Sequence, residues 1–411
     1  MKIVKDIRKV VLAYSGGLDT SVIIPWIKEN YKSEVIAFVA NIGQSKNDLN
    51  NIKKKAISSG ASECYIEDLR KEFIKNYIYP LLQSGSIYEN NYLLGTAIAR
   101  PIIAKKQVEL AIKINADALC HGSTGKGNDQ IRFESVYISL APHLKIISPW
   151  REWNFKSRID LIKYLKIKGI KTNYNKKKIY SKDENIFHVS TEGGLLEDVW
   201  NSSEKKDIWS LTKDPLESEE KPKYLKIKML NGYIESIDNK KFSLLESFKK
   251  LNKLGSAHGI GRIDFIENRL VGIKSRGCYE TPGGTIISKI VQSIDQLVLD
   301  RDCLRWKNII GSEFSYLIYD GKLFTPFGEI LKKNIKFFSN FITGTVLIRL
   351  YKGNIVVLKR KSINSLYSKK FSTFNDSNFS YKHSDANGFI KLFTMPCLVR
   401  SIKKKNIKLK K

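Results

Sequence analysis

The residues best placed to do chemistry fall in two glycine-rich clusters. The first, "AYSGGLDTS" from Ala13 to Ser21, brings Ser15, Gly16, Gly17, Asp19, Thr20 and Ser21 together. It follows a hydrophobic run and precedes an apolar pattern of helical period, so the glycines fall where a strand gives way to a helix. A glycine turn that opens a helix leaves backbone N–H groups unpaired and aimed at one point, and that point attracts anions. Gly16 and Gly17 are expected to supply the unusual backbone angles, and Ser15, Thr20 and Ser21 to add hydroxyl donors. A phosphate chain uses all of these features, whereas a tight turn with a serine cap uses only the turn. The spacing is not the GxxxxGK[ST] of the common nucleotide loop, and no lysine follows the glycines. This is another kind of phosphate cradle.

The second cluster, "HGSTGKGNDQIRFE" from His121 to Glu134, gathers three glycines with Thr124, Lys126, Asn128, Asp129 and Arg132. Such a set can hold a zwitterion. A free amino acid needs an anion for its ammonium and a cation or donors for its carboxylate; Asp129 with Arg132 or Lys126 offers both across one helical turn. As structure alone, the same stretch is a capped helix, with Asn128 or Thr124 as the cap and Asp129 favoured by the helix dipole.

The elements that must position these clusters alternate. "KVVLAY" is followed by a helix over 18–30, "EVIAFVA" by one over 49–59, and "ECYIE" by one over 71–82. After a Gly/Ser/Asn-rich connection come a long helix through "RPIIAKKQVELAIKI", the strand "ADALCHG", a helix from about Asn128 and the strand "LKIISPW". This alternation predicts an α/β fold with a parallel sheet covered by helices on both faces. Both glycine clusters then lie at strand C-terminal ends, where ligands of such sheets gather. A lysine-rich segment over 155–182 leads to an α+β second domain. Strands are expected at "KYLKIKML", "GYIESID", "GIGRIDFIENRL" and "VGIKSRGCYE", helices over 244–254 and 286–306, and a hairpin at "GTVLIRLYKGNIVVLKRKS". The polar, turn-rich stretch beyond it reads as an arm ending in a basic tail. The expected domains are residues 1–172, 173–364 and 365–411.

Composition narrows the function. With 411 residues, 42% hydrophobic and 11% aromatic, the chain can bury substantial cores. No charged-then-apolar leader and no membrane-length apolar run are evident, so a cytoplasmic protein is expected. Cys64, Cys120, Cys278, Cys303 and Cys397 are scattered without a CxxC pair, which fits free thiols and argues against structural zinc. The net charge of +30 is spread along the chain and comes from 57 Lys and only 14 Arg. Nucleic-acid binding would concentrate the charge and favour arginine, so the lysines read as solvated surface.

Taken in order, "AYSGGLDTS", "YLLGTAIARP", "HGSTGKGNDQIRFE", "SPWREW", "KDENIFHVSTEGG", "GRIDFIENR" and "KSRGCYETP" resemble the argininosuccinate synthase family. The first loop is shared with other N-type ATP pyrophosphatases; the ordered set is not. The resemblance implies a nucleotide-binding domain of the adenine nucleotide alpha hydrolase type, a synthetase and multimerisation domain, and a C-terminal oligomerisation arm. It implies that citrulline's ureido oxygen attacks the α-phosphate of ATP and releases pyrophosphate. The amine of aspartate then displaces AMP to form argininosuccinate, in the biosynthesis of arginine. ATP with Mg2+ is the implied nucleotide, no organic cofactor is implied, and a homotetramer is expected.

By the same resemblance ATP meets Ala13, Tyr14, Ser15, Gly16, Gly17, Leu18, Asp19, Thr20, Ser21, Ala40 and Gly122. Aspartate meets Thr124, Asn128 and Asp129; Asp129 is the candidate proton acceptor, with no catalytic residue firmly assignable. Citrulline meets Tyr92, Ala97, Asn128, Arg132, Ser181, Ser190, Glu267 and Tyr279. Ala97 stands where many relatives carry a serine, and a lost hydroxyl contact costs about 1 kcal/mol unless Thr96 or water replaces it. Thr191 stands in place of a frequent aromatic, and Gly284 in place of a frequent alanine. Two other readings use the same residues: a tRNA-modifying ATP pyrophosphatase, and a non-enzymatic nucleic-acid-binding protein. The first would call for an RNA-binding module or a catalytic cysteine pair, and neither is legible.

Overall fold

The computed structural model describes residues 7–44, 49–170, 179–372 and 383–409. The expected boundary between residues 172 and 173 lies outside the described residues. The chain divides into two compact units, Met1–Asn364 and Ser365–Lys411.

The first unit opens with β1 (Lys9–Ala13), α1 (Leu18–Tyr31), β2 (Glu34–Asn41), α2 (Leu49–Ser58) and β3 (Glu63–Asp68). The helix expected over 71–82 is α3 (Arg70–Phe73) and α4 (Tyr79–Ser84) joined by a π-helical turn over Ile74–Ile78. Then come α5 (Gly95–Lys113), β4 (Ala118–Cys120), α6 (Asp129–Leu140), β5 (Lys145–Ile147) and α7 (Arg158–Ile167). The five strands form one parallel sheet in the order β3-β2-β1-β4-β5. Its central strand is apolar because both faces are covered: Val10, Val11 and Leu12 are fully buried. The strand order reverses between β1 and β4, which opens a crevice at their C-terminal ends. Both glycine clusters leave the sheet there.

Next follow β6 (Ser181–Glu184), β7 (Val189–Glu192), β8 (Lys223–Leu230), β9 (Tyr233–Ile237), β10 (Lys240–Lys241) and α8 (Leu244–Ala257). After them come β11 (Arg262–Asn268), β12 (Lys274–Glu280), α9 (Pro282–Val298), α10 (Arg301–Tyr319), α11 (Pro326–Ser339), β13 (Gly344–Tyr351) and β14 (Asn354–Lys361). Strands β10-β9-β8-β13-β14 make one antiparallel sheet, and β11-β12-β7-β6 another. In β8, Leu225, Ile227 and Met229 face the core while the lysines between them face outward, the period of two that marks a one-sided sheet.

Two expectations need correction. The single helix over 286–306 is two helices: Leu299 is extended, and Asp300 caps α10 by accepting from the Cys303 N–H at 2.8 Å. A strong N-cap ended a periodicity that would otherwise run on. Helix α11 was not expected, although Thr325 and Pro326 form its start signal; Thr325 Oγ1 accepts from the Gly328 N–H at 3.2 Å.

The second unit holds α12 (Lys369–Ser372), α13 (Asp385–Phe393) and α14 (Met395–Leu409), more helix than its turn-rich sequence suggests. Phe389 and Phe393 stack along α13 at 5.3 Å, and both are exposed. Among the described residues, no helix is long and apolar enough to cross a membrane.

Candidate active site

The first glycine cluster joins β1 to α1. Gly16 takes a positive φ of 73°, and a Cβ there would press on Ile52 of α2 at 3.3 Å. Gly17 departs from expectation: its φ of −72° and ψ of 171° are open to any residue, and its role is to begin α1. Its carbonyl accepts from the Ser21 hydroxyl at 2.8 Å, and that hydroxyl also lies 3.0 Å from Tyr14 Oη. Ser21 is buried and committed to the helix start, a correction to its expected place among the outward donors. Ser15 is exposed on the loop; its Oγ accepts from the Gly17 N–H at 3.2 Å and lies 3.3 Å from Thr20 Oγ1. Ala13 ends β1, Ala40 lies near the end of the adjacent β2, and Leu18 is buried beneath the helix start. Burial raises the Asp19 carboxyl above its ordinary range, against the pull of Arg158. A lysine does reach this loop, from another element: Lys55 of α2 donates to the Gly16 carbonyl at 2.6 Å. Sequence spacing alone could not place it there.

The second cluster leaves β4 beside the first. A Cβ on Gly122 would stand 3.0 Å from Thr20 Cγ2, so the two loops touch. Asn128 precedes α6 without capping it. Its Nδ2 donates to Tyr319 Oη at 2.8 Å, and its Oδ1 accepts from the Leu270 N–H at 3.0 Å. The capped-helix reading therefore fails for Asn128, whose side chain spans to distant segments. Asp129 accepts from Arg132 Nη1 at 3.0 Å and from Arg100 Nε at 2.9 Å. Arg100 also donates to Asp183 at 2.7 Å. Burial alone would raise the Asp129 carboxyl, but Arg100 and Arg132 outweigh it and hold it below the usual range. Of the two cations open to the pairing, Arg132 takes it, and Lys126 is exposed.

These groups line a cavity of about 300 Å³, with Tyr92, Gly122, Thr124, Asn128, Asp129, Arg132, Ser181, Glu267 and Tyr279 in its walls. Tyr92 and Tyr279 stack at 4.6 Å, and Tyr92 Oη accepts from the Thr96 N–H at 2.9 Å. Ser181 begins β6, Glu267 and Tyr279 lie on β11 and β12, and the pairing of these strands brings them to one edge of the cavity. Glu267 is buried, and its burial raises its carboxyl above the ordinary range. Two expected residues lie elsewhere. Ala97 is fully buried in the hydrophobic core, and Ser190 is buried behind Thr96, whose hydroxyl reaches it at 3.4 Å.

Thr96, named only as a substitute for the hydroxyl missing at Ala97, does line the cavity, and Glu192 and Arg269 line it without having been singled out for it. Glu192 accepts from Arg269 at 2.7 Å, and burial raises its carboxyl too. Both lie inside quoted motifs, so the available signal was a carboxylate and a guanidinium beside the assigned positions. The two unusual residues have structural reasons: Thr191 Oγ1 donates to the Ile208 carbonyl at 2.8 Å, and any side chain on Gly284 would collide with Phe187. The site thus offers two guanidinium groups and three carboxylates around an amino-acid-sized space that adjoins an anion cradle. Among the described residues, no three His, Cys, Asp or Glu side chains group as a metal cage.

A parallel sheet with a glycine cradle at its switch point, next to a charged cavity of amino-acid size, is the architecture of a nucleotide-using enzyme that acts on small zwitterions. Residues 9–171 match the family model for the arginosuccinate synthase N-terminal HUP domain, and residues 180–399 that for the arginosuccinate synthase C-terminal domain. An argininosuccinate synthase of Buchnera aphidicola subsp. Cinara cedri is 60% identical over 97% of this chain and 99% of its own length. One from Buchnera aphidicola subsp. Baizongia pistaciae is 58% identical over 97% of each chain, and one from Serratia proteamaculans is 53% identical over 97% of this chain and 98% of its own. The chain belongs to the argininosuccinate synthase family, a family of ligases. That membership favours the ligase over the tRNA-modifying pyrophosphatase.

Proposed function

We propose that the enzyme joins L-citrulline to L-aspartate at the expense of ATP, through a citrullyl-adenylate, releasing pyrophosphate and then AMP. The observation that carries this reading is the contact of Gly122 with Thr20, which joins a phosphate cradle to an amino-acid cavity. In the first step the ureido oxygen of citrulline bonds to the α-phosphorus, and the bond to pyrophosphate breaks. In the second the aspartate amine bonds to the ureido carbon, and the carbon–oxygen bond breaks, so AMP leaves with that oxygen.

In this reading Ala13 to Ser21, with Ala40 and Gly122, form the nucleotide site. The loop N–H groups and the hydroxyls of Ser15 and Thr20 stabilise the charge that accumulates on departing pyrophosphate. Mg2+ enters on the phosphates as part of the nucleotide substrate, and the chemistry calls for no organic cofactor. Citrulline lies against the stacked pair Tyr92 and Tyr279, with Asn128, Arg132, Ser181 and Glu267 around it, and aspartate at Thr124, Asn128 and Asp129. Catalysis rests mainly on holding the three substrates in line. Asp129 orients the aspartate ammonium; its low carboxyl range makes it a weak proton acceptor. A homotetramer fits the apolar side chains exposed on α13, and a cytoplasmic setting fits the free thiols of the described cysteines.

The test follows the oxygen. Citrulline labelled with 18O at the ureido position should deliver its label to AMP. Unlabelled AMP would contradict the adenylate.

A further inference from the structure

Three buried groups of the cavity wall, Asn128, Arg132 and Glu267, converge on a side chain that does not line it. Tyr319, at the C-terminal end of α10, is fully buried. Its hydroxyl donates to Glu267 Oε2 at 2.8 Å and accepts from Asn128 Nδ2 at 2.8 Å. Its backbone carbonyl accepts from Arg132 Nε at 3.0 Å, and the Arg132 guanidinium carbon stands 4.8 Å from the centre of its ring. Tyr88 stacks on that ring at 3.8 Å with the planes 5° apart, which fixes where the hydroxyl points. In the turn that follows, Gly321 has a φ of 77°, and a Cβ there would lie 2.7 Å from Arg132 Cα. Only glycine lets the end of α10 press this closely on α6.

Building on the ligase reading above, we propose that Tyr319 is a positioning residue for citrulline: it holds the Glu267 carboxylate, the Asn128 amide and the Arg132 guanidinium in one fixed geometry without touching substrate. A hydroxyl has one proton to donate and lone pairs to accept with, and both capacities are used between substrate-facing groups. Its bond to Glu267 is charge-assisted and stronger than a neutral one. Without it, Glu267 keeps a longer bond from Tyr279 at 3.3 Å and an ion pair with Arg269 at 3.8 Å. Asn128 would keep only its bond from the Leu270 N–H. Both groups gain freedom that citrulline binding must then remove.

The test is Tyr319→Phe, which deletes one oxygen and keeps the stacking on Tyr88. The KM for citrulline should rise roughly tenfold or more, while kcat and the KM for ATP change by no more than about twofold. A double-mutant cycle with Glu267→Gln identifies the route: the effect of Tyr319→Phe should shrink when Glu267 is already altered. Thermal melts run alongside should stay cooperative. An unchanged citrulline KM, additive effects in the cycle, an equal loss for every substrate, or loss of a cooperative melt would each overturn the proposal. Wild-type enzyme in the same assay keeps the two readings apart. Failure to need citrulline there would sink the ligase reading, whereas a normal wild type with an unaffected Phe enzyme would sink only the role of Tyr319.

Discussion

At the start of α6, Asp129 is held between Arg100 and Arg132, and this neutralisation explains both what it can and what it cannot do. It stays ionised and faces the cavity, which suits an ammonium, but it has little affinity for a proton. Asp129→Asn, which keeps the shape and removes the charge, should therefore raise the KM for aspartate by roughly tenfold to a hundredfold. Citrulline-dependent exchange of labelled pyrophosphate into ATP should persist, because that step precedes aspartate. Loss of exchange to the same degree would show that Asp129 serves the first step instead. The sequence made Asp129 legible through its spacing from Arg132, since a carboxylate and a guanidinium three apart on a helix meet. Arg100, Glu192, Arg269 and Tyr319 were not legible as partners, because only the folded chain brings their elements together. Ala97 shows the opposite limit: its motif position is one from Thr96, yet a helix turns adjacent side chains to different faces, and Ala97 goes into the core.

Among the elements, the hairpin of β6 and β7 shows how a short polar stretch becomes structural. Its motif was recognisable, but its strands are brief and lack strong alternation, so periodicity did not reveal them. The hairpin docks on the start of α5: Asn185 Nδ2 donates to the Gly95 carbonyl at 3.1 Å, and His188 packs where any side chain on Gly95 would collide. His188 also packs against Tyr92 and Tyr279, at 5.9 and 5.4 Å between ring centres. Burial, with a smaller push from Arg100, lowers the His188 imidazole to about 3 from the ordinary 6.5. Below pH 6.5 the unfolded chain takes up a proton at this residue that the folded chain refuses, so the folded state loses stability as pH falls between those values. From pH 7 to 5 the loss from His188 should be about 2 kcal/mol. Urea unfolding at both pH values should show His188→Asn with a smaller drop than wild type. Equal drops would show that His188 is protonated or accessible in the folded state. The parallel sheet, by contrast, was readable almost strand by strand, because its central strands β1 and β2 are continuous apolar runs and longer helix-forming stretches separate the strands.

For the whole molecule, the net charge of +30 is its loudest property and the least informative about the reaction. Lysines such as Lys226 and Lys228 alternate with core residues along β8 and stay solvated, as a coding preference for lysine on outward positions would leave them. In the proposed reading the activity is specified by the junction of two glycine clusters at one crevice, with a second set of strands supplying Glu267 and Tyr279 to the same cavity. The order of the motifs carried that assembly in the sequence, even though the antiparallel pairing that brings Ser181, Glu267 and Tyr279 together was not visible in it. The most direct measurement is the release of AMP and pyrophosphate from ATP and Mg2+ by the purified protein, with citrulline and aspartate together and with each omitted. Stoichiometric AMP, pyrophosphate and argininosuccinate only when both amino acids are present is the predicted result. AMP and pyrophosphate formed at the same rate without citrulline and aspartate, or formed only when tRNA is added, would contradict it.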